Sequence, residues 1–137
     1  MELPICPPLT KIPFLWGGNS PKTGLDCFTL SSYARTSQGR SPLPSHNWVY
    51  QTYSEEAFPA ALMVKLCQDA LNQVVRSPIP FDVVVLRGES ISLGTCLMQD
   101  SKLKILHFSP KGFSVMTDLE AIKRSRLILG VFEADVI

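Results

Sequence analysis

The sequence predicts an α+β domain, helices packed on an antiparallel sheet, from three observations. Helical periodicity is confined to the first half of the chain and ends near Val75. Short β-branched and apolar runs fill the second half. Two of those runs are separated only by Gln99-Asp100-Ser101, the length of a hairpin turn. Helices first and strands after make a segregated arrangement, not an alternating α/β one.

The elements follow in order. Met1 to Lys11, with Pro4, Pro7 and Pro8, reads as an extended arm on the surface or on a neighbouring chain. Residues 12–137 form the domain. Pro13 to Pro21 is a loop rich in turn formers. Asp26 opens a helix in which Cys27, Leu30, Ser31 and Ala34 recur at helical spacing, and Gly39 ends it. Arg40 to Tyr53 is a connection. Ser54-Glu55-Glu56 has the cap oxygen and acids of a helix start, and Phe58, Leu62, Leu66, Ala70 and Val74 follow at i+4 steps. Strands are expected at Phe81–Leu86, Leu93–Met98, Lys102–Phe108 and Phe113–Met116. Asp118 caps a short helix through Ile122, and Leu127–Phe132 is the last strand.

A chain of 137 residues has room for one core. It is 45% apolar and 18% charged, which suits a packed globule and excludes disorder. The net charge is +1 and the only basic cluster is Lys123-Arg124-Ser125-Arg126, so no nucleic-acid partner is expected. No apolar run is long enough to span a membrane, and Met1-Glu2-Leu3-Pro4 does not begin a secretion signal. The four cysteines, 6, 27, 67 and 96, form no C-x-x-C motif and read as free thiols; no metal or other cofactor is expected. Cys67 and Cys96 fall at core positions.

Cys27 is the candidate nucleophile. It follows an acid at the start of a helix, where free N–H groups and the helix dipole favour thiolate. Trp16-Gly17-Gly18 followed by Gly24-Leu25-Asp26-Cys27-Phe28-Thr29-Leu30 resembles the nucleophile motif of the NlpC/P60 family, papain-like cysteine peptidases and amidases that cut peptidoglycan stem peptides. Further on, Pro80–Leu86 resembles the family's first core strand. Leu93–Met98 resembles the strand bearing the base histidine, and Leu106-His107-Phe108-Ser109 the strand bearing the third polar member. The resemblance implies a papain-like fold with Cys27 as nucleophile, Asp26, Trp16 and Gly17 in support, and His107 as the orienting group. The Asp-Cys-Phe-Thr-Leu form and the ending Arg126–Phe132 resemble versions carried by tailed phages. That implies a virion component of the tail tip or hub, assembled in the host cytoplasm beside other tail proteins.

Two supporting positions depart from the family. The base histidine, two residues before the matching Gly94, is Ser92, and a hydroxyl is no base near neutral pH. The tyrosine expected two residues before Trp16 is Phe14, which offers no donor. If Gly94 sets the register, Ser92 points into the groove at Cys27, and His107 shares that face one strand further out. The Cys27 pKa then stays near that of an ordinary cysteine. His46, in the Pro44–Trp48 loop, reads as a surface histidine. The expected function is therefore a structural tail tip or hub component on a catalytically impaired hydrolase scaffold. The alternative is an active peptidase or amidase that opens peptidoglycan during genome delivery. A cellular acyl-transferase on the same fold has no specific support.

Overall fold

A computed structural model describes residues 9–44, 47–88 and 90–134. The chain is α+β, with helices packed on an antiparallel sheet. A two-residue ladder comes first, β1 (Asn19–Ser20) with β2 (Gly24–Leu25), followed by helices α1 (Cys27–Ser37), α2 (Asn47–Thr52) and α3 (Ala60–Ala70). Strands β3 (Asn72–Val74), β4 (Val83–Arg87), β5 (Ile91–Gln99), β6 (Lys102–Phe108) and β7 (Ser114–Asp118) come next. Helix α4 (Leu119–Ser125) and strand β8 (Leu127–Glu133) complete the order. The main sheet runs β3-β8-β4-β5-β6-β7 with every neighbour antiparallel. Among the described residues no helix is long and apolar enough to cross a membrane.

The sheet is buried on both faces, and its period-two alternation sorts the residues into two cores. One face carries Val83, Val85, Leu93, Leu97, Leu106 and Phe108 against α1 and α3, which contribute Phe28, Leu30, Ala34, Met63 and Leu66. The other face carries Val84, Leu86, Cys96 and Ile105 against Ile122 of α4. Gly94 belongs to that second face: a Cβ there would lie 2.5 Å from Ile105 Cγ2. A buried hydroxyl pair marks the first face, Thr95 Oγ1 donating to Ser31 Oγ at 2.7 Å.

Several expected elements coincide with observed ones. Strand β6 has the expected bounds, and Asp100 and Ser101 both take positive φ, 54° and 61°, as a two-residue type I′ turn requires. Helix α1 starts where expected because Asp26 and Thr29 form a reciprocal capping box.

Three local expectations are corrected. The Arg40–Tyr53 connection contains α2, whose Val49 is fully buried. The helix expected from Ser54 begins only at Ala60, with Pro59 at its N-cap, because proline holds the preceding Phe58 away from helical angles. Val74 continues no helix; it pairs with Val131 at the sheet edge. The arm is corrected at its inner end too. Leu9 is 1% exposed in the first core, its carbonyl accepts from Ser114 Oγ at 2.6 Å, and Lys11 N donates to Ser114 O. The packed domain therefore includes Leu9, whereas residues 1–8 of the arm lie outside the described residues.

Candidate functional site

The tight loop that ends in Asp26 is built on glycine. Gly17 sits at φ +74° with the Tyr50 ring 3.5 Å from where a Cβ would stand. A Cβ on Gly18 would collide with the Gly24 carbonyl. This close approach lets Gly17 N donate to Asp26 Oδ2 at 2.9 Å. The other carboxylate oxygen accepts from Phe28 N and Thr29 N, each at 3.0 Å, and Asp26 N donates to Thr29 Oγ1 at 2.9 Å. Asp26 is completely buried and its carboxylate organises the loop and the helix start.

Cys27 occupies the first position of α1, as expected, and is 8% exposed. Its sulfur lies where α1 meets β5, with the Leu93 backbone amide beside it. Burial pushes the thiol well above its ordinary pKa, and the Asp26 carboxylate pushes the same way; the Leu93 amide opposes both. This corrects the expectation of an ordinary cysteine. The helix terminus does not prevail, because the Asp26 carboxylate already takes the first free amides and adds a negative charge beside the sulfur.

Ser92 and His107 do share a face, but it is not the face of Cys27. Ser92 has the parity of Gly94 and Cys96, and His107 has that of Ile105, so both lie on the α4 side of the sheet. Arg126, just beyond α4, donates to Ser92 Oγ at 3.2 Å. His107 Nε2 bonds Thr117 Oγ1 at 2.8 Å and its Nδ1 contacts Phe108 O at 3.3 Å. Burial, with the Arg126 charge nearby, lowers the His107 pKa to about 4 and keeps the ring neutral. The expected groove arrangement is overturned because packing put Leu93 and Thr95, not Ser92 and Gly94, against α1.

On the Cys27 side the sheet offers carbon. Leu93 and Phe108 belong to the same core as the thiol, and Phe14 packs edge-on against Phe108 at 5.1 Å between centroids. Trp16 is part of an aromatic group with Tyr50, Tyr53 and Phe58, and its indole Nε1 donates to Tyr53 O at 3.1 Å. A small apolar cavity nearby is lined by Phe28, Leu66, Cys67, Leu71 and Leu93 and holds no convergent polar groups. Cys67 and Cys96 are buried and free, as expected of core positions. Among the described residues no group of His, Cys, Asp and Glu could hold a metal ion. His46 lies outside the described residues.

Sequence reasoning passed over Tyr50 and Leu93. Tyr50 falls within the expected Arg40–Tyr53 connection, and the burial of Val49 beside it is visible only in the structure. Leu93 is hidden because Gly94 suggests the opposite face of β5.

As arranged, the site can hold a protonated thiol at a capped helix start; it places no imidazole beside that thiol among the described residues. No model of a known protein family matches the chain, and no curated protein sequence matches it.

Proposed function

We propose that the chain is a structural component of a phage tail tip or hub, built on an NlpC/P60-like, papain-type scaffold that has lost hydrolysis. The family reading rests on Trp16-Gly17-Gly18 and Asp26-Cys27 at a helix start, and on the order of the strands that follow. The single observation that favours a scaffold over an enzyme is the split of the site by the sheet. Cys27 lies on one face, and Ser92 and His107 lie on the other. A buried thiol raised in pKa and facing Leu93 has no base among the described residues to take its proton. Loss of a base costs such enzymes about a thousandfold or more in rate. Partners in this reading are neighbouring tail proteins, with peptidoglycan peptides as residual ligands at most.

The test is clearance of purified peptidoglycan, followed by turbidity, with the chain and with Cys27→Ala. Equal rates are expected. Clearance that depends on Cys27 would overturn the loss of hydrolysis. Mass spectrometry of purified virions checks the location; absence of the chain from the particle would remove the tail assignment.

A further inference from the structure

The main sheet opens at one end. Strand β5 pairs with β4 as far as Ile91, and β6 pairs with β7 as far as Phe108. The ladder between β5 and β6, however, stops at Thr95 and Leu106. Past that pair the sheet forks, with Ile91–Leu93 on one limb and His107–Phe108 on the other. Bonds at both ends of the β4–β5 pairing, Cys96 N to Asp82 O at 2.9 Å and Gly88 N to Ser90 O at 3.1 Å, turn the even-numbered residues of β5 toward β4. The N–H and C=O of Ile91 therefore face the fork, where no backbone partner meets them among the described residues. Leu93 faces the same way but is almost completely buried, so the mouth of the fork lies at half-buried Ile91 and exposed Ser90.

The two sides of that mouth differ. Ile91 packs toward the first core, on the α1 side. On the α4 side Ser92 Oγ accepts from Arg126 at 3.2 Å. Arg126 is fixed by its own N–H, which donates to Ile122 O at 2.8 Å. Its side chain crosses the Gly88 backbone, where a Cβ would stand 3.6 Å from Arg126 Cγ. Among the described residues no carboxylate lies within ion-pair distance of this half-buried guanidinium. Next to Phe108, at the end of the other limb, Ser109 Oγ is buried and has no hydrogen-bond partner. Most buried hydroxyls do have one.

We propose that the β5–β6 fork docks an extended peptide segment of another protein, paired along Ile91 and carrying an acidic side chain to Arg126 and Ser92. An added strand supplies the main-chain partners that Ile91 lacks. Its side chains alternate between the two faces of the sheet. The residue set opposite Ser92 shares the face of Ser92 and brings its carboxylate to the guanidinium, which takes a carboxylate through two parallel hydrogen bonds. Its neighbours point to the α1 side, beside Ile91, and are apolar. Charge and alternation together select an apolar–acidic–apolar strand; a basic segment would meet Arg126 with like charge, and proline at a pairing position would lack the donor. The inference goes beyond the proposed function and holds whether or not the chain belongs to a tail.

The experiment selects a yeast-displayed library of random heptapeptides on the full chain and measures the enriched peptides, synthesised with a fluorescent label, by anisotropy. Enrichment of aspartate or glutamate between apolar, β-branched neighbours is expected. Arg126→Gln should raise the Kd of those peptides about tenfold, the worth of one charge-assisted contact. Amide hydrogen exchange at Ile91, followed by NMR, should slow when the peptide is added, while that of Val84, paired with both neighbouring strands, stays unchanged. Failure to enrich acidic peptides would overturn the proposal, and so would equal binding to Arg126→Gln or unchanged exchange at Ile91. Displacement of the peptide by an equal concentration of acetate or inorganic phosphate would reduce the fork to a small-anion site. A dimer of the chain that Arg126→Gln dissociates would give the fork to a second copy in place of another protein.

Discussion

Replacing Asp26 by alanine is expected to cost more than an ordinary helix cap. A cap residue replaced by alanine loses about 1–2 kcal/mol. Asp26 does more than cap. It is completely buried, and besides Phe28 N and Thr29 N it accepts from Gly17 N at 2.9 Å. The Gly17 donor would be stranded, at about 1–2 kcal/mol. The expected loss is therefore about 3 kcal/mol for Asp26→Ala. Asp26→Asn keeps an oxygen for the helix amides and loses the charge-assisted bonds, so about 2 kcal/mol is expected. Urea unfolding followed by far-UV circular dichroism measures both. With a slope of about 2 kcal/mol per molar urea, the alanine midpoint falls by about 1.5 M. A loss below about 1 kcal/mol in Asp26→Ala would mean that the carboxylate is an exposed cap and that the loop and the helix do not share it.

Three other outcomes are expected. His107 has a pKa of about 4 in the folded chain against about 6.5 unfolded, so below pH 6.5 the unfolded state binds more protons. Its contribution to stability is full above that value and is lost on acidification to pH 4, by about 3 kcal/mol, and His107→Gln should flatten that part of the pH–stability curve. Leu9→Ala should cost about 2–4 kcal/mol in the same urea assay, because its side chain is 1% exposed in the core; a change under 0.5 kcal/mol would return it to a surface arm. Gly94→Ala should cost about 1–3 kcal/mol, since its Cβ would stand 2.5 Å from Ile105 Cγ2, and Ile105→Ala in the same chain should recover part of that, measured as a double-mutant coupling.

Local chemistry was legible in the sequence wherever neighbours along the chain decide it. Asp26 starts α1 because an aspartate three residues before a threonine can exchange hydrogen bonds with it. The hairpin and the bounds of β6 follow from the short Gln99-Asp100-Ser101 stretch between apolar runs, although Gln99 belongs to β5 and the turn itself is Asp100-Ser101. That Ser92 and His107 share a face also follows from period-two alternation once their strands pair as expected. The late start of α3 is legible too, since Pro59 keeps Phe58 from helical angles and so bars a start at Ser54. Which face of the sheet receives α1 was not legible. Both faces are apolar, with Val83 and Val85 on one and Val84 and Leu86 on the other, so hydrophobicity along β4 does not choose between them. The choice is made by contacts distant in sequence: Ser31 with Thr95, Ile105 against Gly94, and Arg126 with Ser92. The amino-acid sequence by itself thus determined the α+β order and a cysteine at a capped helix start. Only tertiary packing decided that this cysteine faces carbon, because a strand buried on both sides carries no local sign of which side its helix will cover.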